Sequence, residues 1–485
     1  MTSLKEQGTI AFFWDFVGRI LKSGMSFVVS IFLARLLEPS DFGLIAMVML
    51  IIGMTQVFTD VGLGGALIQR RRVLTIHYSS VFYFNIVIAS ILSTSIYFAA
   101  SWIGVFYNNT ELIPLAEVMS CSFIIAALSS VQNVKLRKEL NYALLTKVNL
   151  VAALISGIVG VSLAFYGAGV WSLVAQSLSH GISYNILVWS TAGWRPSLQF
   201  SFKALKQLWG YGFRMFVSGL LDAIFTRLDY LIIGKLFEAT VLGFFQRAKS
   251  LNLFVVSHSS ASLMSVLFPV LSKVQNDLSQ LQNIATKALG IICFVTFMLL
   301  GGLYLVSEEL IVLLFGEKWL PSVEYFKILV LAGYAYPVSA LLVNILSSRG
   351  NSKSFLRLEV YKKLISSISF VVLYYYGIDA FLISIVSLVV LSVSLNIIFA
   401  TRELYLPFFL FAKPIVTQAV ITIITVLLTL QVIKDLLLIN ILMLAVKGLV
   451  FSLLYIGVNH LFKTSSFQYF LEQLMPIIRV KFESK

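Results

Sequence analysis

Charged side chains inside long apolar stretches are the residues of this sequence that could do chemistry. Asp15, Arg19 and Lys22 stand four and three residues apart, so a helix would place all three on one face. Two later apolar stretches carry further charges of the same kinds: Arg214, Asp222, Arg227, Asp229, Arg247 and Lys249. Guanidinium and ammonium groups form strong charge-assisted hydrogen bonds with phosphate oxygens, so the basic residues among these are candidates for binding an anion.

The depth of these charges needs an explanation, because a basic residue in the middle of a membrane helix costs about 3 kcal/mol on insertion scales. Two interpretations are open. The basic residues line a water-filled cavity that binds the substrate, or they form buried ion pairs that hold helices together. We favour the cavity for Arg19, Lys22 and Arg247, which have no surplus of acids nearby. Together with Arg214 and Lys249 they are assigned to substrate binding.

The other charges of interest are assigned to gating or ion pairs: Asp15, Asp60, Asp222, Arg227 and Asp229. For the last three, cavity lining and ion pairing are equally good interpretations. Asp60 could bind a proton or a cation, but its position close to Arg70-Arg71-Arg72 favours a cytoplasmic anchor. Lys447 lies in the middle of the last apolar run without a partner nearby in sequence, and its role is open.

The elements that must position these charges are membrane helices. The chain has 485 residues, of which 59% are hydrophobic and 12% charged, whereas soluble domains have about 45–50% and 25%. Apolar runs of about 20 residues are typical of membrane spans. The sequence predicts an all-α integral membrane fold with about 14 transmembrane helices: 9–33, 42–66, 79–103, 112–132, 144–165, 169–189, 208–233, 241–263, 285–306, 325–346, 356–376, 379–400, 412–432 and 437–461.

The basic residues between these runs predict the orientation of the chain. One set of loops carries most of the loop Lys and Arg residues, Arg137 among them, whereas the opposite loops carry only Arg35, Lys235, Lys318 and Lys434. Because basic loops stay on the cytoplasmic side, we expect both termini in the cytoplasm. The net charge of +14 then reflects topology, and no nucleic-acid partner is predicted.

An internal repeat predicts how the helices are grouped. Four residues of the first apolar run recur in the same order in the second half of the chain: Trp14, Arg19, Ser23 and Gly24, then Trp209, Arg214, Ser218 and Gly219. An even number of helices separates the copies, so they are parallel repeats of six helices each, as in many secondary transporters. We expect a lobe over 1–199, a second lobe over 200–411 that starts with an interfacial linker, and two extra helices with a cytoplasmic tail over 412–485.

Motifs of common enzymes are missing from the sequence. It contains no G-x-x-x-x-G-K-[ST] for nucleotide phosphates, no H-E-x-x-H or C-x-x-C for a metal or redox centre, and no G-x-S-x-G. The two cysteines, Cys121 and Cys293, lie within apolar runs and do not indicate a disulfide framework. We therefore expect a protein that is not an enzyme and needs no cofactor or metal.

Short motifs along the chain resemble those of one transporter family. They are Arg35-x-Leu37-x-Pro39-x-x-Phe42-Gly43, the run Gly62 to Gln69, Asp229-x-x-x-Ile233-Gly234, Phe268-Pro269-x-Leu271-Ser272, and Phe315-Gly316-x-x-Trp319. The sequence resembles polysaccharide-transport flippases of the multidrug/oligosaccharidyl-lipid/polysaccharide exporter superfamily. It is most similar to exopolysaccharide exporters of the colanic-acid and teichuronic-acid type.

The resemblance implies a flippase of the bacterial cytoplasmic membrane. It would move an undecaprenyl-pyrophosphate-linked oligosaccharide by alternating access, for exopolysaccharide or O-antigen assembly. The implied partners are the lipid-linked oligosaccharide, membrane lipids, a polymerase and chain-length proteins. Related flippases of cell-wall precursors use basic residues on helices one, two and eight. Here the first helix offers Arg19 and Lys22 and the eighth offers Arg247, whereas the second offers Gln56, Thr59 and Asp60.

Two other functions fit a membrane protein of this kind. A cation-coupled exporter of small amphipathic molecules would have an acidic and aromatic cavity, whereas the central charges here are mostly basic. A membrane glycan polymerase or ligase would be expected to carry a large periplasmic loop with catalytic polar residues. The longest such loop here, about 307–324, is short.

Overall fold

The computed structural model describes residues 4–473 except 61, 350, 435, 437 and 438. All regular elements among these residues are helices. Some side chains on described helices, among them those of Asp60 and His258, lie outside the description, as does the end of the predicted cytoplasmic tail. The contacts divide the chain into two compact units, the first ending at Gln246 and the second starting at Arg247. The three-part division at 199/200 and 411/412 stays a prediction.

The first unit consists of ten helices and the start of an eleventh. They are α1 Leu4–Leu36, α2 Pro39–Thr55, α3 Val57–Asp60, α4 Leu63–Gln69, α5 Thr75–Tyr107, α6 Leu112–Ser120, α7 Ser122–Lys138, α8 Tyr142–Phe165, α9 Val170–Thr191, α10 Phe202–Leu236 and α11 Ala239–Lys273. Ser201 caps α10, and its Oγ accepts a hydrogen bond of 3.3 Å from the N–H of Ala204. The predicted linker over 200–209 is therefore mostly the first turns of a continuous helix.

The second unit contains the rest of α11 and seven further helices. They are α12 Leu278–Leu305, α13 Ser307–Phe315, α14 Ser322–Ala332, α15 Ala335–Ser348, α16 Ser352–Leu404, α17 Phe408–Val432 and α18 Asn440–Leu461. One turn of 3-10 helix, Glu317–Trp319, lies between α13 and α14, and a last helical stretch covers 465–473.

Nine helical segments among the described residues are long and apolar enough to cross a membrane. This confirms an all-α membrane fold in outline, whereas fourteen spans and two cytoplasmic termini stay predictions. One of the nine, Lys353–Leu404, has 52 residues and contains the two predicted runs 356–376 and 379–400. Gly377 lies between these runs with a φ of +82°, a left-handed conformation that favours glycine and interrupts the helix.

Two glycines let the beginnings of α2 and α11 cross at very short distance. A Cβ atom on Gly43 would lie 1.7 Å from the carbonyl oxygen of Ala239, and one on Gly243 would lie 1.9 Å from that of Pro39. No larger residue fits at either position. This crossing places the first two turns of α11, up to Gln246, beside α2.

Hydrogen bonds between polar side chains and backbone carbonyls connect helices of the first unit. On α9, the amide of Asn185 donates to the carbonyl of Ile125 at 2.7 Å, and the indole of Trp189 donates to that of Leu128 at 2.9 Å, both on α7. The hydroxyl of Thr146 on α8 donates to the carbonyl of Trp14 on α1 at 3.0 Å. In an apolar environment such bonds satisfy groups that water cannot reach, so they fix which helix faces meet.

The second unit has a buried polar network of its own. The hydroxyl of Tyr455 on α18 donates to Gln418 on α17 at 2.5 Å and lies 3.0 Å from the carbonyl oxygen of Phe294 on α12. Gln418 donates in turn to Asn459 at 2.8 Å. The network fastens α17 and α18, the two extra helices, to α12.

Candidate functional site

The first unit contains a polar cavity of about 550 Å³, which we call the cationic cavity. Its walls come from α2, α6, α7, α8, α9 and α10, together with Gln56 just after α2. The long or charged polar residues of the described lining are Gln56, Asn133, Arg137, Asn149, His180, Tyr184, Asn185 and Arg227. The cavity therefore offers many hydrogen-bond donors and acceptors at the depth of the membrane helices.

Arg227 reaches the cavity by crossing the surface of α2. Its Nη1 donates a hydrogen bond of 3.2 Å to the carbonyl oxygen of Met49. A Cβ atom on Gly53 would lie 2.3 Å from that Nη1, so the glycine leaves the space that the guanidinium occupies. A guanidinium has five N–H donors, and one bond to Met49 leaves others for a ligand.

Arg137, near the end of α7, is the second cation of the lining, and its side chain is exposed. The described lining contains no Asp or Glu. Two guanidinium groups without a lining carboxylate give the cavity a positive potential, which low-dielectric walls strengthen. The arrangement is suited to binding an anion with several oxygens, such as a pyrophosphate.

The predicted residues of α1 lie in different surroundings. The Nζ of Lys22 is 3.4 Å from the Oδ1 of Asn149, a residue of the cavity lining. The four-residue spacing of Asp15 and Arg19 brings them into an ion pair of 2.5 Å. The Arg19 side chain is 77% exposed, so this pair lies on the outside of the unit and is open to solvent or lipid.

The predicted residues of α10 have different environments. Arg214 and Asp222 are exposed, whereas Asp229 is half-buried and accepts a hydrogen bond of 3.0 Å from the backbone N–H of Tyr230. Arg227 is the residue of this helix that lines the cationic cavity. Asp60 cannot be placed, since its side chain lies outside the part of the chain that the structure describes.

The cations of the second unit are held by aromatic and acidic side chains. The guanidinium of Arg247, a residue only 5% exposed, lies 4.9 Å from the ring of Phe315 and 5.2 Å from that of Trp319. Lys447, whose role the sequence left open, forms a buried ion pair with Glu309. Lys249 borders a separate cavity of about 540 Å³ together with Glu359 and Lys362.

Sequence reasoning missed most of the cationic cavity. It counted Arg137 among the cytoplasmic loop residues, because basic residues near a helix end are typical of topology signals. A helical pattern was nevertheless present: Asn133 and Arg137 stand four residues apart on α7, and Ser177, His180 and Tyr184 follow at intervals of three and four on α9. Both sets form polar faces of otherwise apolar helices.

Comparison with known proteins identifies the family. The chain matches the family described as Polysaccharide biosynthesis protein over residues 32–324, which is more than half of its length. The chain therefore belongs to this family.

Individual relatives agree with this assignment, and one solved structure shares the fold. The chain is 22% identical over 366 residues to the Lipopolysaccharide biosynthesis protein WzxC of Escherichia coli (strain K12), covering 74% of each protein. It is 27% identical over 281 residues to the Teichuronic acid biosynthesis protein TuaB of Bacillus subtilis (strain 168), covering 57% of this chain and 58% of TuaB. The lipid II flippase MurJ in its inward closed conformation superposes with a TM-score of 0.69 at 16% identity, covering 94% of this chain and 100% of MurJ. At that identity the superposition shows a common fold.

These findings confirm the family resemblance that the motifs indicate. They also confirm a multi-pass protein of the cytoplasmic membrane. The roles assigned to individual site residues stay predictions.

Proposed function

We propose that this protein is a flippase that moves an undecaprenyl-pyrophosphate-linked oligosaccharide from the cytoplasmic to the periplasmic leaflet by alternating access. The family, the names of the relatives and the fold of a lipid II flippase support a transporter of lipid-linked glycans. We further propose fourteen spans in two parallel six-helix repeats plus two helices, with both termini in the cytoplasm. The product would feed a polymerase and chain-length proteins.

The cationic cavity is the observation that carries this proposal. Pyrophosphate is doubly esterified in such a substrate and keeps two negative charges, which need cationic partners when they leave water. Arg137 and Arg227 supply guanidinium groups, which pair with phosphate oxygens through two parallel N–H donors. A cation-coupled exporter of amphipathic molecules is less consistent with this cavity, because its described lining carries no carboxylate.

The basic residues outside this cavity are assigned a supporting role in the proposal. Lys22 adjoins the cavity through Asn149 and would add a third positive charge. Arg19, Arg214, Arg247 and Lys249 would attract the anionic head group or contact it at another stage of transport. Measuring the lipid affinity of variants at these four residues separates their roles from that of the cavity.

The test measures binding of undecaprenyl pyrophosphate, without sugars, to the purified full chain in lipid nanodiscs. Losing one hydrogen-bonded contact to a charged group costs about 1.5–3 kcal/mol, so Arg137→Ala and Arg227→Ala should each weaken binding roughly ten- to a hundredfold. Arg195→Ala is the matched control, since Arg195 is an exposed arginine of the same unit outside the cavity. Unchanged affinity in both cavity variants would contradict the proposed site.

A further inference from the structure

A second cavity of about 340 Å³ adjoins the cationic cavity in the first unit. The two cavities share Met49, Ser177 and His180 in their walls. The second lies nearer the C-terminal end of α1 and the N-terminal ends of α2 and α9, whereas the cationic cavity lies towards the opposite ends of α2 and α9. The two cavities are therefore neighbours along α2 and α9.

The chemistry of the second cavity differs from that of the first. Its described lining contains no Asp, Glu, Lys or Arg, and we call it the neutral cavity. Its polar lining consists of Ser26, Ser156, Gln176, Ser177, His180 and Gln246. Amides and hydroxyls both donate and accept hydrogen bonds, which matches the hydroxyl groups of an uncharged sugar. A carboxylate in the same place would lose its hydration with no cation in the described lining to pair with.

Gln246 shows that this lining has unused hydrogen-bonding capacity. Its Oε1 is buried and has no hydrogen-bond partner among the described residues, although the side chain borders the neutral cavity. A buried acceptor without a donor is energetically unfavourable. A ligand hydroxyl that donates a hydrogen bond to this oxygen removes that cost and so makes binding more favourable. The close crossing at Gly43 and Gly243 holds this part of α11 against α2.

Gln176 presents a second amide from α9. A Cβ atom on Gly160 of α8 would lie 2.9 Å from the Cβ of Gln176, so the stem of the glutamine packs closely against the glycine. The amide is thereby held at the cavity wall by its own helix and by α8. Amides on α9 and α11 thus both border the neutral cavity.

We propose that the neutral cavity is a binding subsite for one uncharged sugar residue, the sugar attached directly to the pyrophosphate in the cationic cavity. Gln176 and Gln246 would determine the preference for a hydroxyl group over a carboxylate. This inference rests on the proposed function, because it needs the pyrophosphate in the neighbouring cavity to place the sugar.

The test compares three probes with the full chain in nanodiscs at pH 8, where an ordinary histidine is neutral. The bare lipid probe is the methyl ester of undecaprenyl pyrophosphate, which keeps two negative charges as a glycosylated lipid does. The other two probes are undecaprenyl pyrophosphate with one glucose and with one glucuronic acid, which differs from glucose in carrying a carboxylate at C6. Two hydrogen bonds should make the glucose probe bind about tenfold more tightly than the bare lipid. The glucuronic acid probe should lack this gain.

Gln176→Met and Gln246→Met keep the size of the side chain while removing its polar atoms. Each removes one of the two hydrogen bonds, so each should reduce the gain from glucose to about threefold and leave the affinity for the bare lipid unchanged. Gln246→Met should also raise the melting temperature, since it removes an unpaired buried acceptor. Gln280→Ala, at an exposed glutamine of the second unit, is the control and should change none of these values.

The outcomes separate the subsite from the proposed function. If bare undecaprenyl pyrophosphate does not bind, the proposed function fails, and the subsite fails with it. If the bare lipid binds through Arg137 and Arg227 but glucose adds no affinity, or glucuronic acid adds as much as glucose, the subsite alone is wrong. Full retention of the glucose gain in both methionine variants would overturn the role of the two glutamines.

Discussion

Two regions of the molecule hold cations in opposite ways. In the first unit, Arg137 and Arg227 line a cavity whose described wall has no carboxylate. In the second unit, Lys447 forms a buried pair with Glu309, and Arg247 is covered by aromatic rings. A basic residue in an apolar stretch can therefore be a binding group or part of the packing. The groups that face it decide which.

The difference has an energetic consequence. Removing one partner of a buried ion pair leaves a charge without compensation, which is strongly destabilising. Removing a cation from a water-accessible cavity leaves no such charge behind. Substitutions of Lys447 and Arg247 should therefore lower stability, and those of Arg137 and Arg227 should lower binding.

The largest effect on stability is expected for Lys447→Met. It leaves the Glu309 carboxylate, a residue 8% exposed, without its cation, at a cost of about 3–5 kcal/mol. The second oxygen, Oε2, already has no hydrogen-bond partner among the described residues. We expect a large drop in melting temperature in detergent. Adding Glu309→Gln should recover most of the loss. A Lys447→Met variant with the melting temperature of the wild type would contradict the proposed difference between the two regions.

A smaller effect is expected for Gly53→Ala in the first unit. The new methyl group would collide with the Arg227 guanidinium, which is the far end of a flexible side chain and can move aside, so the cost should be at the low end of the ~1–3 kcal/mol that is typical of overpacking. The guanidinium would also leave its position, so undecaprenyl pyrophosphate should bind more weakly.

The double variant Gly53→Ala with Arg227→Ala separates these two effects. It should regain the melting temperature of the wild type, because the collision is gone, but not its affinity for the lipid. If the double variant stays as unstable as Gly53→Ala alone, the methyl group acts on something other than Arg227.

The smallest effect is expected for Arg247→Lys, which keeps the charge but loses the planar group that lies against two aromatic rings. The loss should be about 1 kcal/mol, visible as a small drop in melting temperature. If Arg247 belongs to the packing of the second unit, the affinity for undecaprenyl pyrophosphate should not change. A fall in affinity at constant melting temperature would instead support its predicted role in substrate binding.

The candidate site was only partly predictable, for reasons that particular residues make clear. The pairing of Asp15 with Arg19 follows from a spacing within one helix. The partner of Lys447 is more than a hundred positions away in the sequence, and no local pattern connects it to Glu309. Arg227 had two acidic neighbours on its own helix, yet it extends to a carbonyl on α2.

The sequence by itself determined that this is an all-α membrane protein of a polysaccharide biosynthesis family. Length, apolarity and short motifs are local properties, and they do not depend on which helices meet. Only the tertiary structure decided which cations line a cavity and which are buried in pairs, because that depends on the face each helix turns to its neighbours. Glycines such as Gly43, Gly53 and Gly243 allow a neighbouring backbone or side chain to come close to their helix. Their effect can be recognised only when the position of that neighbour is known.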